Sequence, residues 1–200
     1  DLTFVKSNPT FNDQFGYTVS VYDIDNDLVG DLTIGAWGAD AINGDDANGE
    51  VTIYYGDSNF VSDTNQIINS PDIILTKSPS EVDARFGRWI STGDLNNDGY
   101  GDVLVGTPFA NTELLDNGEA FVYLGSNNFD STSDAHLTKL PAEAEAAFGR
   151  RDIVCDLNND NYDDAIVSAY LADNQRGNNG EVHVFFGRPG NTFDNHVDVI

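Results

Sequence analysis

Three times along the chain the same landmarks recur at nearly constant offsets, and a tandem repeat constrains a fold more tightly than any local propensity. Phe-Gly stands at Phe15-Gly16, Phe86-Gly87 and Phe148-Gly149. Eight residues after each Phe an aspartate opens an acidic loop, at Asp23, Asp94 and Asp156. Twenty residues after each Phe come Gly35-Ala36-Trp37, Gly106-Thr107-Pro108 and Ser168-Ala169-Tyr170. Asn-Gly-Glu follows at Asn48-Gly49-Glu50, Asn117-Gly118-Glu119 and Asn179-Gly180-Glu181, and each repeat closes on Tyr54-Tyr55-Gly56, Tyr123-Leu124-Gly125 or Phe185-Phe186-Gly187. Lys6, Lys77 and Lys139 each fall nine residues before a Phe-Gly. These offsets divide the chain into repeats 1–57, 58–126 and 127–187, with 188–200 as the start of a further unit or a tail. Length differences between repeats are confined to stretches that read as loops.

Within a repeat the pattern is β. Residues 17–22, 51–55 and 181–186 are rich in β-branched and aromatic side chains, partly with period two. One exception is 141–147, where Pro141 followed by alternating Ala and Glu predicts a single helical turn before Phe148. Four short strands per repeat, whose sheet must stack on its neighbours to bury its apolar faces, predict an all-β fold of tandem four-stranded antiparallel blades, as in a β-propeller. Three blades are too few to close a ring, so the expectation is part of a larger propeller, or an arc completed by further blades or subunits.

The acidic loops are Asp23 to Asp31, Asp94 to Asp102 and Asp156 to Asp164. Oxygen-bearing side chains occupy their first, third, fifth and ninth positions: Asp23, Asp25, Asp27 and Asp31; Asp94, Asn96, Asp98 and Asp102; Asp156, Asn158, Asp160 and Asp164. Calcium takes six to eight hard oxygen ligands, and a tight loop with alternate oxygen side chains can aim them at one point. Backbone carbonyls at the seventh position, Val29, Tyr100 and Tyr162, would complete each set. The absence of Cys and His at these positions disfavours zinc, copper and iron, and so large a cage would strain magnesium. An EF-hand begins similarly but needs a Glu at position 12 and flanking helices. Here Ile34, Val105 and Val167 stand at that position inside strand-like runs, so each ion would staple a hairpin. The bland alternative is that Asp and Asn are only turn formers. Up to three calcium ions are expected, with the second loop the best candidate for occupancy and the first, which has Leu28 where the second has Gly99, the last.

Composition excludes several other classes. With 40% apolar and 11% aromatic residues the chain can bury a core, so it is not a disordered acidic tail. Nine basic residues against 34 acidic ones leave a formal charge of −25, which repels nucleic acid and anionic lipid. Part of that charge is expected simply to solvate the surface. No run approaches the ~20 apolar residues of a membrane helix. Cys155, the single cysteine, lies in an apolar run and reads as a small buried thiol. Neither His136 nor His196 has a recurring partner and His183 alternates within a strand, so no catalytic constellation is visible and the expectation is a non-enzyme.

Phe-Gly, then Asp94-x-Asn96-x-Asp98-Gly99-x-x-Asp102, then Gly106-Thr107-Pro108 resembles the FG-GAP repeat of integrin α-subunit propellers and related proteins. The likeness spans about residues 1–187. Gly35-Ala36-Trp37 lacks the family's proline, and Ser168-Ala169-Tyr170 lacks both glycine and proline. The resemblance implies a calcium-stabilised propeller, with calcium loops in several blades and ligands bound on the opposite face. Affinities of extracellular calcium modules suit a protein outside the cell or at its surface. The leading expectation is therefore adhesion or recognition of a protein or glycan. A structural surface-layer or filament component and an accessory module of a secreted hydrolase are the alternatives. Trp37, Phe109 and Tyr170 open the long loops at the far end of each repeat, with Asp40, Asn111 and Asp173 close behind. They are the ligand-binding candidates, although aromatics there could equally pack between blades.

Overall fold

The computed structural model of the chain describes residues 2–40, 47–56, 66–111, 113–173, 177, 179–190, 193 and 198. Among these there is no helix and there are thirteen strands. β2 (Thr18–Tyr22), β3 (Asp31–Ala36), β4 (Glu50–Tyr54) and β6 (Ile73–Thr76) form one antiparallel sheet in that order. β7 (Trp89–Gly93), β8 (Asp102–Thr107), β9 (Glu119–Tyr123) and β10 (Ala135–Leu137) form a second with the same path. β11 (Phe148–Cys155), β12 (Asp164–Ala169) and β13 (Glu181–Phe185) form the third. β1 (Leu2–Phe4) lies outside these sheets, paired in parallel with β5 (Gln66–Ile68). The first two are the four-stranded antiparallel blades that the repeat predicts, and the third shows three strands among the described residues.

The fourth strand of each complete sheet lies just before the next Phe-Gly, so the sheets run across the repeat boundaries. An aspartate marks its start. The amides of Asp72 and Asp134 donate to Ile53 and Val122 oxygens at 2.9 and 2.8 Å, while their carboxylates accept the Tyr55 and Leu124 amides. Asp198 repeats both bonds with Val184 and Phe186, at 2.9 and 2.7 Å, and so stands at the outer-strand position of the third sheet.

The repeated landmarks are the contacts between sheets. Phe86 and Phe148 are fully buried in the two cores, one between the first and second sheets and one between the second and third. The Asn48 and Asn117 carbonyls accept the Phe86 and Phe148 amides of the next sheet at 2.9 and 3.0 Å. Gly118 has φ +75°, and a Cβ there would meet the Phe148 oxygen at 2.2 Å, so only glycine fits. A strand sandwiched between two blades is covered on both faces, which is why β8 reads as a continuous apolar run and is buried throughout. The loop ends are keyed differently at the two junctions. Tyr22 of the first sheet packs where Gly101 of the second has no side chain, whereas Asp163 of the third fills the space left by Gly93 of the second.

Faces lacking a neighbouring blade are exposed. Val19 is 59% exposed while its counterpart Ile90 is 8% exposed, and Val182 is 51% exposed while Val51 and Ala120 are buried. The helical turn predicted over 141–147 does not form. Glu145 (φ 62°) and Ala147 (φ 52°) adopt left-handed backbone, which a right-handed turn excludes, and the Ala147 amide donates instead to Asp116 O at 3.1 Å.

Candidate metal centres and the opposite face

Each acidic loop joins the first and second strands of its sheet, between the paired residues Tyr22 and Asp31, Gly93 and Asp102, and Cys155 and Asp164. The predicted hairpin setting is therefore present, without flanking helices. One hydrogen-bond scaffold shapes all three. The first-position aspartate accepts two amides from the loop tip: Asp27 and Leu28 on Asp23, Asp98 and Gly99 on Asp94, Asp160 and Asn161 on Asp156. The fifth-position aspartate accepts the seventh-position amide, from Val29, Tyr100 and Tyr162, at 2.7, 2.9 and 3.0 Å. The fourth and sixth residues have positive φ in each copy: Asn26 and Leu28, Asn97 and Gly99, Asn159 and Asn161. Asn and Gly adopt that conformation at low cost. Leu28, 89% exposed with φ 71°, does not.

The ninth-position aspartates serve as clamps. Asp31, Asp102 and Asp164 are fully buried, and one oxygen of each accepts the loop's second amide, from Ile24, Leu95 and Leu157. The other accepts the amide of Gly56, Gly125 or Gly187 at the end of the third strand, at 2.7, 2.6 and 3.0 Å. Burial pushes the Asp102 carboxyl up to about 8 despite those two amides.

The three loops differ in what they present at their centres. In the first, carboxylate oxygens of Asp23, Asp25 and Asp27 lie within 4.8 Å of one another, the one such acidic group of three among the described residues. Desolvation and then the charge of Asp27 raise the Asp25 carboxyl above its ordinary value. In the second and third loops the third-position Asn donates its side-chain amide to the fifth-position aspartate, Asn96 to Asp98 at 3.0 Å and Asn158 to Asp160 at 2.9 Å. That contact partly neutralises what a cation would neutralise. Side chains at these positions carry oxygen atoms of the kind a hard divalent ion takes, and the loop ranked last from sequence is the one that gathers three carboxylates among the described residues.

β3, β8 and β12 carry Asp31, Asp102 and Asp164 at one end, and Trp37, Phe109 and Tyr170 follow shortly after their other ends. A six-residue strand places those ends about 20 Å apart. The aromatic candidates meet a set of arginines there. The Arg85 guanidinium carbon lies 5.0 Å from the Trp37 ring centre and 4.3 Å from that of Phe109. Arg88 lies 5.0 Å from Trp37, 5.4 Å from Tyr17 and 5.6 Å from Phe109. Arg150 lies 5.8 Å from Phe109 and 4.8 Å from Tyr170, and Arg151 is 5.1 Å from Trp89. Trp37, Phe109 and Tyr170 thus pack against arginines, in part from the neighbouring repeat.

The family profile for the FG-GAP repeat matches residues 86–123 and 148–185, the second and third repeats. The chain is an FG-GAP repeat protein. Integrin alpha-8 of Gallus gallus is 31% identical over 201 residues, covering 94% of this chain and 17% of that protein. Integrin alpha-PS3 of Drosophila melanogaster is 33% identical over 140 residues, 70% of this chain and 11% of that protein. Phosphatidylinositol-glycan-specific phospholipase D of Mus musculus is 28% identical over 177 residues, 88% of this chain and 21% of that protein. The chain thus spans about a fifth or less of the length of these relatives.

The FG-GAP pattern explains one periodicity that had no role in the sequence. Lys6, Lys77 and Lys139 pair with the Glu of Asn-Gly-Glu, with Nζ to carboxylate distances of 3.4 Å to Glu50, 3.0 Å to Glu119 and 3.3 Å to Glu181. His136, which lacked a partner in the sequence, lies in β10, contacts the same Glu119 and stacks on Phe121 with ring centres 4.9 Å apart. No helix among the described residues is long and apolar enough to cross a membrane.

Proposed function

We propose that this chain is a calcium-stabilised, non-catalytic propeller segment that recognises a protein or glycan outside the cell or at its surface. Asp23, Asp25, Asp27 and Asp31, with the Val29 carbonyl, would hold one ion. Asp94, Asn96, Asp98, Asp102 and Tyr100, and Asp156, Asn158, Asp160, Asp164 and Tyr162, would hold two more. The convergence of Asp23, Asp25 and Asp27 carries the reading, because three carboxylates held within 4.8 Å by a scaffold common to all three loops are stabilised by a cation. In the second and third loops the Asn side chain would turn its oxygen toward the ion. Three divalent ions carry six positive charges against the formal −25 and would lock each hairpin base. Further blades, from the same polypeptide or a partner, would cover Val19, Val21 and Val182. Residues 188–200 read as belonging to such a continuation, with Asp198 already at an outer-strand position.

Calorimetric titration with calcium, paired with thermal melts in chelator, tests the metal assignment. Binding heat and a melting temperature raised by calcium are expected; the absence of both refutes it. The match to a phosphatidylinositol-glycan-specific phospholipase D supports a second reading, that of an accessory module beside a catalytic domain. In that case, too, this segment would bind and not catalyse.

A further inference from the structure

The arginines at the aromatic face are out of keeping with the rest of the surface. The chain has nine basic residues against 34 acidic ones, yet three guanidinium carbons, those of Arg85, Arg88 and Arg150, lie within 5.8 Å of the single Phe109 ring centre. Arg151 adds a fourth over Trp89. Arg85 is paired with Asp83 at 2.8 Å, whereas Arg88, Arg150 and Arg151 have no carboxylate within salt-bridge distance among the described residues. The Arg150 guanidinium is 3.4 Å from the Tyr170 hydroxyl, to which it donates. Tyr17 and Tyr170 are 45% and 44% exposed at the rim. Desolvation, then repulsion by Arg150 and Arg85, lowers the Arg88 pKa.

A stacked guanidinium keeps its in-plane N–H donors available while its face rests on the ring, and those donors match the two oxygens of a carboxylate. We infer that the face lined by Trp37, Phe109 and Tyr170 takes the acidic side chains of a protein partner, held by Arg88 and Arg150 with Arg151 at the edge. This rests on the recognition reading above and specifies its partner. The compactness of the cluster decides between partners. Guanidiniums gathered on one ring suit one or two carboxylates, whereas an extended polyanion would run on to a surface with a net excess of acids and be repelled.

Panning a random heptapeptide library on the full chain at low ionic strength tests the inference. An Asp- and Glu-rich consensus is expected. The selected peptide should lose at least tenfold in affinity when its acids are changed to amides, and to a similar degree against R88Q/R150Q. The peptide-side change leaves the protein intact, so a folding defect in the variant cannot mask the result. A consensus without acids, or acidic peptides that bind R88Q/R150Q equally while that variant keeps its melting temperature, overturns the acidic partner and leaves recognition standing. Heparin hexasaccharide binding in place of acidic peptides also overturns it. No consensus and no sugar binding would remove the recognition reading as well.

Discussion

Lys77 Nζ lies 3.0 Å from Glu119 Oε1 across the junction between the first and second sheets, with the two side chains 7% and 1% exposed. Lys77 follows the outer strand of one blade and Glu119 opens the third strand of the next, so the pair ties adjacent blades together. Truncating Lys77 removes one partner of the buried Glu119, which keeps its contact with His136. Lys77→Ala should cost about 1.5–3 kcal/mol in denaturant unfolding, the worth of a hydrogen bond to a charged group, and Lys77→Met with Glu119→Gln should recover part of it. No measurable loss in Lys77→Ala, or losses of the two single variants that simply add in the double, would show that the pair contributes nothing.

Gly118 should tolerate no side chain. Its φ of +75° and the 2.2 Å separation between the Phe148 oxygen and the point where a Cβ would stand combine left-handed strain with a backbone clash at the second junction. Gly118→Ala should destabilise by about 2 kcal/mol or more, from strain of about 1–2 kcal/mol plus the clash. An unchanged melting temperature would contradict this packing.

Leu28 offers the opposite case. It occupies a left-handed position with its side chain 89% exposed, so replacing it removes strain and loses little packing. Leu28→Gly, which copies Gly99 of the second loop, should stabilise by about 1 kcal/mol and tighten calcium at the first loop if strain limits it. Thermal melts with and without calcium separate the two effects.

Asp152 stands where the second sheet has Ile90, with its side chain against Gly106 at the second junction. Both carboxylate oxygens are buried without a hydrogen bond of normal geometry, and burial raises the carboxyl well above its usual range, with the Ser168 backbone opposing. The folded protein therefore holds this proton more tightly than the unfolded chain. Its stabilising contribution is full below the unfolded value, near 4, and is lost as pH rises from there through the folded value. Asp152→Asn should flatten that pH dependence, and Asp152→Leu should gain about 1–3 kcal/mol at pH 8. A wild-type stability that rose steadily over this interval while Asp152→Asn lay parallel to it would contradict the assignment.

Calcium at the second loop should compete with a proton on Asp102, whose carboxyl is raised to about 8 in the metal-free protein. Binding below that pH should release protons, so affinity should rise by up to about tenfold per pH unit until near 8 and then level off. Calorimetry in buffers of different ionisation heat measures the release. Proton release identical in wild type and Asp102→Asn would rule out this linkage.

Much of the architecture was legible because the repeat fixes both strand order and contact points. The same Phe, Gly and Asn that define the periodicity form the sheet junctions, so finding the repeat amounted to finding the interfaces. The acidic loops were equally readable as hairpin connections, since clustered Asp and Asn between two β runs favour a tight turn. Two features were harder to see. Fourth strands lie far in sequence from the sheets they complete, and nothing local in Ile73–Thr76 says which blade it joins. The arginine cluster leaves a single trace in the sequence: Arg88 and Arg150 each directly follow a Phe-Gly in a chain poor in bases. The strained backbone at Glu145 and Ala147 ran against the composition around it, because contact with Asp116 outweighs the weak helix preference of a short Ala and Glu stretch.

The keyed loop ends have a consequence for engineering. At the first junction a tyrosine meets a glycine, and at the second a glycine meets an aspartate, so the bulky partner changes sides. The three units are therefore directional parts. Splicing the third unit directly after the first would set Asp163 against Tyr22 and crowd the seam, whereas joining a copy of the second unit to itself would set Gly93 opposite Gly101 and leave a void. The order of the modules is written into their edges.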